Sequence, residues 1–176
     1  LLPPPSPPPL VALTAAAASM HSTYTLQGHD LSAAKCIDGI TNNDNGWNFC
    51  MSGLNVLSPW LLVELLPGSV VREARVYARE DCCQSKLSPF EVWLADGSFS
   101  DLLSFSAAAT KCGDTMEPPA TAGPHSVSCG GSQQASHALL RRAGPSRVLM
   151  VAELELWGVS GPPAPLAPPP SVPPAL

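Results

Sequence analysis

Apolar residues in this chain fall in short runs of period two, each closed by turn-forming residues, and that pattern admits a fold built from strands rather than helices. Trp60–Leu65 is instead a short, nearly continuous apolar run stopped by Pro67-Gly68, with the length and ending of a buried strand. Val70–Arg79 sets Val71, Ala74, Val76 and Ala78 against Arg72, Glu73, Arg75 and Arg79. Phe90–Leu94 alternates and stops at Asp96-Gly97. Ser136–Arg142 and Arg147–Trp157 flank the turn Ala143-Gly144-Pro145, and the second puts Val148, Met150, Ala152, Leu154 and Leu156 on one face with Glu153 and Glu155 on the other. A period of 3.6 is sustained nowhere, and only the alanines at 15–18 are ambiguous. Val11–Met20 reads as a strand entering the domain; it follows prolines and lacks a basic leader, unlike a signal peptide. The segment Ala107–Gly131 is rich in Gly, Pro, Ser and Thr and is expected to be a long loop stapled by Cys112 and Cys129. Several short strands with turn chemistry between them predict an all-β sandwich or jelly roll.

The domain is bounded by proline. Fourteen of the 21 prolines lie in Leu1–Leu10 and Gly161–Leu176, where they favour extended, solvated chain that cannot pack a core. Residues 1–10 and 160–176 are therefore expected as Pro-rich, disordered linkers around a domain at 11–159. They resemble the linkers of hydroxyproline-rich extracellular glycoproteins or ordinary disordered spacers. A first residue of Leu rather than Met adds the expectation of a longer parent protein. The formal net charge of −5 leaves no basic stripe for nucleic acid, and no apolar run reaches the roughly 20 residues of a spanning helix. Six cysteines, none in a CxxC pair, point to a disulfide framework in an oxidising, extracellular compartment.

The chemistry concentrates in Arg79-Glu80-Asp81-Cys82-Cys83-Gln84-Ser85-Lys86, a loop between two strands. Adjacent cysteines can close into an eight-membered ring with a rigid, polarisable face. Arg79 and Lys86 flank it with N–H donors, and Asp81 can hold the Arg79 fork in place. A sugar offers the complement, hydroxyl acceptors and a C–H face; two solvated loop cations would be the plainer alternative. No nucleophile elbow, phosphate loop or HExxH pattern is present, and the histidines at 21, 29, 125 and 137 have no metal-ligand spacing, so an enzyme is not expected.

The pattern RxDCCxxK, with PWLLVEL upstream and FEVWL downstream, resembles the F-type lectin (fucolectin) family from about Ala12 to Gly158. Ser22-Thr23-Tyr24 is similar to the family's opening strand, and Cys36-Ile37-Asp38-Gly39 to its AIDG turn. Pro59-Trp60 is similar to its PWW strand, and Ala152–Gly158 to its closing CEVEVYG strand. The resemblance implies an eight-stranded, galactose-binding-like jelly roll that binds terminal L-fucose on fucosylated glycans without catalysis. Arg79 and Lys86 would donate to the sugar, the Cys82–Cys83 disulfide would pack on its ring, and Trp47 would either receive its C6 methyl or fill the core.

The sequence departs from the family at three places. Ser52 stands where a histidine donor is expected, with a shorter reach that would contact the sugar through water. Lys86 replaces the more common arginine and gives up planar bidentate geometry. The closing-strand cysteine is replaced by Ala152, which leaves Cys36 as the implied partner of Cys50, beside Cys82–Cys83 and Cys112–Cys129. A structural calcium ion is also implied, held by the side chains of Asp38 and Glu153 and by carbonyls of the Lys35–Cys50 loop, Lys35 and Ile40 among them. The Asn42-Asn43-Asp44-Asn45 cluster is either a further oxygen source or a set of turn formers. The competing functional class is a protein- or lipid-docking module on the same scaffold.

Overall fold

The computed structural model describes residues 9–42, 46–99, 102–117 and 121–160. Most of the two proline tails, and Asn43, Asp44 and Asn45 of the acidic-amide cluster, lie outside these residues. The strands are β1 (Val11–Ala12), β2 (Ala15–Met20), β3 (Cys50–Met51), β4 (Trp60–Leu65), β5 (Val70–Tyr77) and β6 (Phe90–Ala95). They continue as β7 (Thr110–Met116), β8 (His125–Gln134), β9 (His137–Arg141), β10 (Met150–Val151) and β11 (Glu153–Val159). Eight of them have five or more residues, so the jelly-roll strand set expected from the sequence is present with three two-residue additions. A four-stranded sheet runs β1-β11-β5-β8 and a five-stranded sheet β2-β4-β9-β6-β7, with a small β10-β3 ribbon at one end.

The core lies between the two large sheets. Val71, Ala74, Val76, Leu154 and Leu156 from one sheet meet Leu61, Val63, Phe90, Val92, Leu94 and Leu140 from the other, all buried. The spacing of three between Val71 and Ala74 breaks strict alternation because the β5–β8 register shifts between Val71 and Glu73. Such a bulge turns the following side chains back toward the same face.

Three expectations from the sequence need correction. Ala107–Gly131 is not one long loop. It contains β7, most of β8, and the end of a short helix, α1 (Leu102–Ala108). Both strands are sheet edges, held on one side by backbone ladders, so they need few apolar residues and carry no clear alternation. Cys112–Cys129 then ties the edge of one sheet to the edge of the other. Second, Arg147–Trp157 is interrupted at Ala152, which separates β10 from β11 and brings Glu153 and Leu154 into the interior together. Third, Ser22–Tyr24 follows the opening strand rather than forming it, and the alanine run is β2, paired with β4.

On the outer face of the five-stranded sheet Glu91 lies opposite Arg141 across β6 and β9. It accepts from Arg141 Nη2 at 2.8 Å and from Trp93 Nε1 at 3.2 Å, with Lys111 Nζ 3.1 Å away. Burial would raise this carboxyl, but the Arg141, Lys111 and Trp93 donors outweigh it and lower it to about 2. A folded value below the unfolded one gives stability that is complete above about pH 4.5 and is lost as pH falls toward 2. Chemical denaturation of wild type between pH 5 and pH 2.5 is expected to show a loss of at most about 3 kcal/mol from this group, absent in Glu91→Gln. A slope unchanged in the variant would remove Glu91 as its source.

Candidate functional site

One end of the sandwich gathers the β5–β6 loop, the loop leading into β3, and the β9–β10 turn. Ala78 is the last buried residue of the β5 line, so Arg79 emerges at the rim. Its guanidinium donates through Nε to Asp81 Oδ1 at 3.0 Å and through Nη2 to Asp81 Oδ2 at 2.6 Å, a side-on fork. That fork holds the Asp81 carboxyl below its ordinary range. The guanidinium carbon lies 4.2 Å above the Phe49 ring, and Nη1 reaches Met150 Sδ at 3.7 Å. With only 14% of its side chain exposed, Arg79 is oriented on three sides before any ligand arrives.

The rest of the loop is fixed from within. Gln84 Nε2 donates to the carbonyls of Arg79 at 2.9 Å and Glu80 at 3.2 Å, closing the loop on itself. Cys83 has φ of 67° and introduces a single 3₁₀ turn, Gln84–Lys86, whose Lys86 N–H donates to the Cys83 carbonyl at 2.8 Å. The Cys82–Cys83 disulfide closes at the tip, with Cys83 exposed. Lys86 is exposed as well, and its ammonium has no ion-pair partner among the described residues. Arg79, Cys82, Cys83 and Lys86 thus stand together on one solvent-facing loop.

Trp47 is not core filler. It is 41% exposed and stacks on His29 with ring centroids 3.5 Å apart and planes 14° from parallel. Its centroid is 6.2 Å from that of Phe49, so His29, Trp47, Phe49 and Arg79 form a continuous stacked file. His29 and Phe49 were not expected from the sequence to take part, because the pairing is made by loop geometry alone. Ser52 behaves differently from expectation. It is fully buried, its Oγ accepts from the Leu149 N–H at 2.9 Å and donates to the Gly53 carbonyl at 3.1 Å, and its own N–H donates to the Leu149 carbonyl at 2.9 Å. Ser52 continues the β3–β10 ladder and faces away from solvent, so it is no sugar donor.

A groove of about 260 Å³ adjoins the loop, lined by Lys86, Arg142, Arg147, Met51, Val148 and Met150 among others. Arg142 Nη1 donates to the Val148 carbonyl at 2.8 Å and the Lys86 carbonyl at 3.2 Å, bracing the groove wall. Arg142 and Arg147 bracket the Ala143–Ser146 turn, and their flanking positions are the one sequence signal that points to them.

The residues expected to hold calcium lie elsewhere, where the Ala33–Cys36 3₁₀ turn and its following loop meet β11. Cys36–Cys50 anchors this loop, and Asp38 Oδ1 accepts from the Ile40 N–H at 3.0 Å. Lys35 Nζ lies 3.8 Å from Asp38 Oδ2. Glu153 is 3% exposed, and its Oε2 has no hydrogen-bond partner among the described residues. Burial pushes its carboxyl up to about 8 despite backbone donors at Gly39 and Asp38, and the Asp38 charge adds to the rise. Among the described residues no cluster of three His, Cys, Asp or Glu side chains surrounds a metal position. Two carboxylates, one of them with an orphaned buried oxygen, fit a hard cation only if backbone carbonyls complete the shell.

No protein-family model matches the chain, and no curated protein matches it. Solved structures do. An F-lectin (fucolectin) from striped bass (Morone saxatilis) serum is 21% identical with a TM-score of 0.72, covering 88% of this chain, which spans about half (52%) of that lectin's length. A fucose-binding module of Streptococcus pneumoniae is 18% identical at a TM-score of 0.65, over 85% of this chain and 96% of the module. A Clostridium perfringens family 32 carbohydrate-binding module, solved with GalNAc-β-1,3-galactose, is 15% identical at 0.65, over 83% and 99%. With two antiparallel sheets packed face to face and these matches in shape, the chain has the discoidin-like jelly-roll fold of the F-type lectins.

Proposed function

We propose that the domain is a non-catalytic carbohydrate-binding module that holds a terminal L-fucose, or a sugar of similar hydroxyl pattern, at the β5–β6 loop. The observation that carries this is the pre-set loop itself: Arg79 locked by Asp81, a vicinal disulfide with Cys83 exposed, and the ammonium of Lys86, which has no ion-pair partner among the described residues. The cations supply donors to sugar oxygens, and the disulfide supplies an apolar face for ring C–H groups. The exposed part of Trp47 offers a surface for a methyl group. Structures of similar shape that bind fucose or galactose support the same reading.

Three disulfides support an extracellular setting, and the proline-rich tails support a place as one module of a larger extracellular protein. Among the described residues no helix is long and apolar enough to cross a membrane.

Calcium forms part of the proposal. The Asp38 and Glu153 carboxylates, with carbonyls of the Lys35–Cys50 loop such as those of Lys35 and Ile40, would hold it. The ion would satisfy Glu153 Oε2 and tie the loop to β11. Binding only the folded state, calcium at a hundred times its Kd is expected to add about 2.7 kcal/mol of stability. The expected result is a melting temperature that rises with calcium, falls on chelation, and no longer responds in Glu153→Gln. A calcium response unchanged in that variant would place the ion elsewhere.

Displacement from an immobilised fucosylated glycan tests the function directly. Free L-fucose at millimolar concentration is expected to release the domain. Retention in the presence of L-fucose would favour the competing class, a protein- or lipid-docking module.

A further inference from the structure

We propose that the groove beside the sugar-contacting loop receives an anionic substituent of the same saccharide, a sulfate ester or a carboxylate, so that the preferred ligand is an acidic glycan. The inference rests on the reading of the β5–β6 loop as a sugar site. Its basis is the distribution of charge. The chain has 9 Lys and Arg side chains against 14 Asp and Glu. Five of the nine are ion-paired: Lys35, Arg75, Arg79, Lys111 and Arg141. Of the four cations that have no carboxylate partner among the described residues, three (Lys86, Arg142 and Arg147) line this one groove, and no described Asp or Glu lines it.

The arginines are built into the site. Arg142 is 8% exposed, with Nη1 spent on two backbone carbonyls and Nε buried without a partner among the described residues. Arg147 Nε is likewise buried without a partner. Gly144, at φ of 112°, leaves room for the Arg147 guanidinium, which a Cβ there would approach to 3.1 Å. Burial, and then the charge of Arg147, both lower the Arg142 guanidinium from its ordinary value, so the pair lacks compensation. Like charges brought together in this way are costly, and a bound anion with several acceptor oxygens offsets that cost.

The groove is continuous with the sugar loop. Lys86 belongs to both, and Met150 lines the groove while its sulfur meets Arg79 Nη1. An anion on a neighbouring ring carbon or the next residue of the saccharide would therefore reach the arginines while the first sugar sits on the disulfide. The exposed Leu54 at the groove's edge admits a different occupant, an anionic lipid surface. Yet two arginines and a lysine lining one groove of about 260 Å³ favour a small oxyanion held by planar guanidinium forks.

The test is titration of the whole chain with four probes: L-fucose, a sulfated L-fucosyl oligosaccharide, the same oligosaccharide after desulfation, and a fucosyl uronate. At low salt the sulfated or the uronate probe is expected to bind about ten- to hundredfold more tightly than the desulfated one. In Arg147→Gln that ratio should fall toward one, and 0.5 M salt should compress it in wild type. L-fucose binding with no gain from either anion overturns the groove assignment and leaves the sugar site standing. Failure of all four sugars overturns both. Binding to phosphatidylserine vesicles with no anionic-sugar preference overturns the inference in favour of a membrane surface.

Discussion

Arg79→Ala is expected to weaken L-fucose binding by about a hundredfold or more, below ready detection, while the domain stays folded. A charge-assisted hydrogen bond contributes about 1.5–3 kcal/mol, and Arg79 presents a fork already fixed by Asp81, Phe49 and Met150. A monosaccharide site of this kind starts from roughly millimolar affinity, so the loss of one such anchor leaves little. The stability cost is much smaller. A rim ion pair and one cation–π contact contribute about 1–2 kcal/mol together. Arg79→Lys keeps the charge without the fork and is expected to fall between the two. Thermal melts alongside the titrations decide the matter: a melting temperature that collapses in Arg79→Ala would mark the residue as structural.

The largest stability effect is expected at Gly158, far from the site. The β11–β5 register shifts between Trp157 and Gly158, and the Val70 carbonyl packs against the Gly158 Cα so closely that a Cβ would collide with it. Relief requires moving one of the two central strands of the four-stranded sheet, so Gly158→Ala is expected to cost about 3 kcal/mol or more. Gly28→Ala makes the control. Gly28 has φ of 81° but open space around it, so only backbone strain of about 1 kcal/mol is expected. Chemical denaturation giving equal losses for the two would contradict the steric account.

The two variants mark what the sequence could and could not reveal. The strands at 70–77 and 90–95 are legible because their apolar residues alternate, and the strand at 60–65 because its short apolar run ends at Pro67-Gly68. Strands β7 and β8 were hidden because sheet edges need little apolar surface. The Arg79–Lys86 motif was legible because its members are contiguous, so spacing alone puts them on one loop. Ser52 is a place where the motif misleads, because position in a motif does not show which way a side chain points. Here it points inward to finish a backbone ladder. Alternation puts Glu153 on the face opposite Leu154, and the interruption at Ala152 that buries both leaves no mark on the hydropathy pattern. His29, Phe49, Arg142 and Arg147 join the site through loops that meet only in three dimensions.

The most direct test is calorimetric titration of the chain with L-fucose in the presence of calcium, with the Cys82–Cys83 disulfide intact. A saturable 1:1 heat at millimolar or tighter affinity, lost after verified reduction of that bond under conditions where the fold persists, is the predicted result. No heat at tens of millimolar L-fucose, from a domain shown to be folded, would contradict the assignment of the Arg79–Lys86 loop as a sugar site.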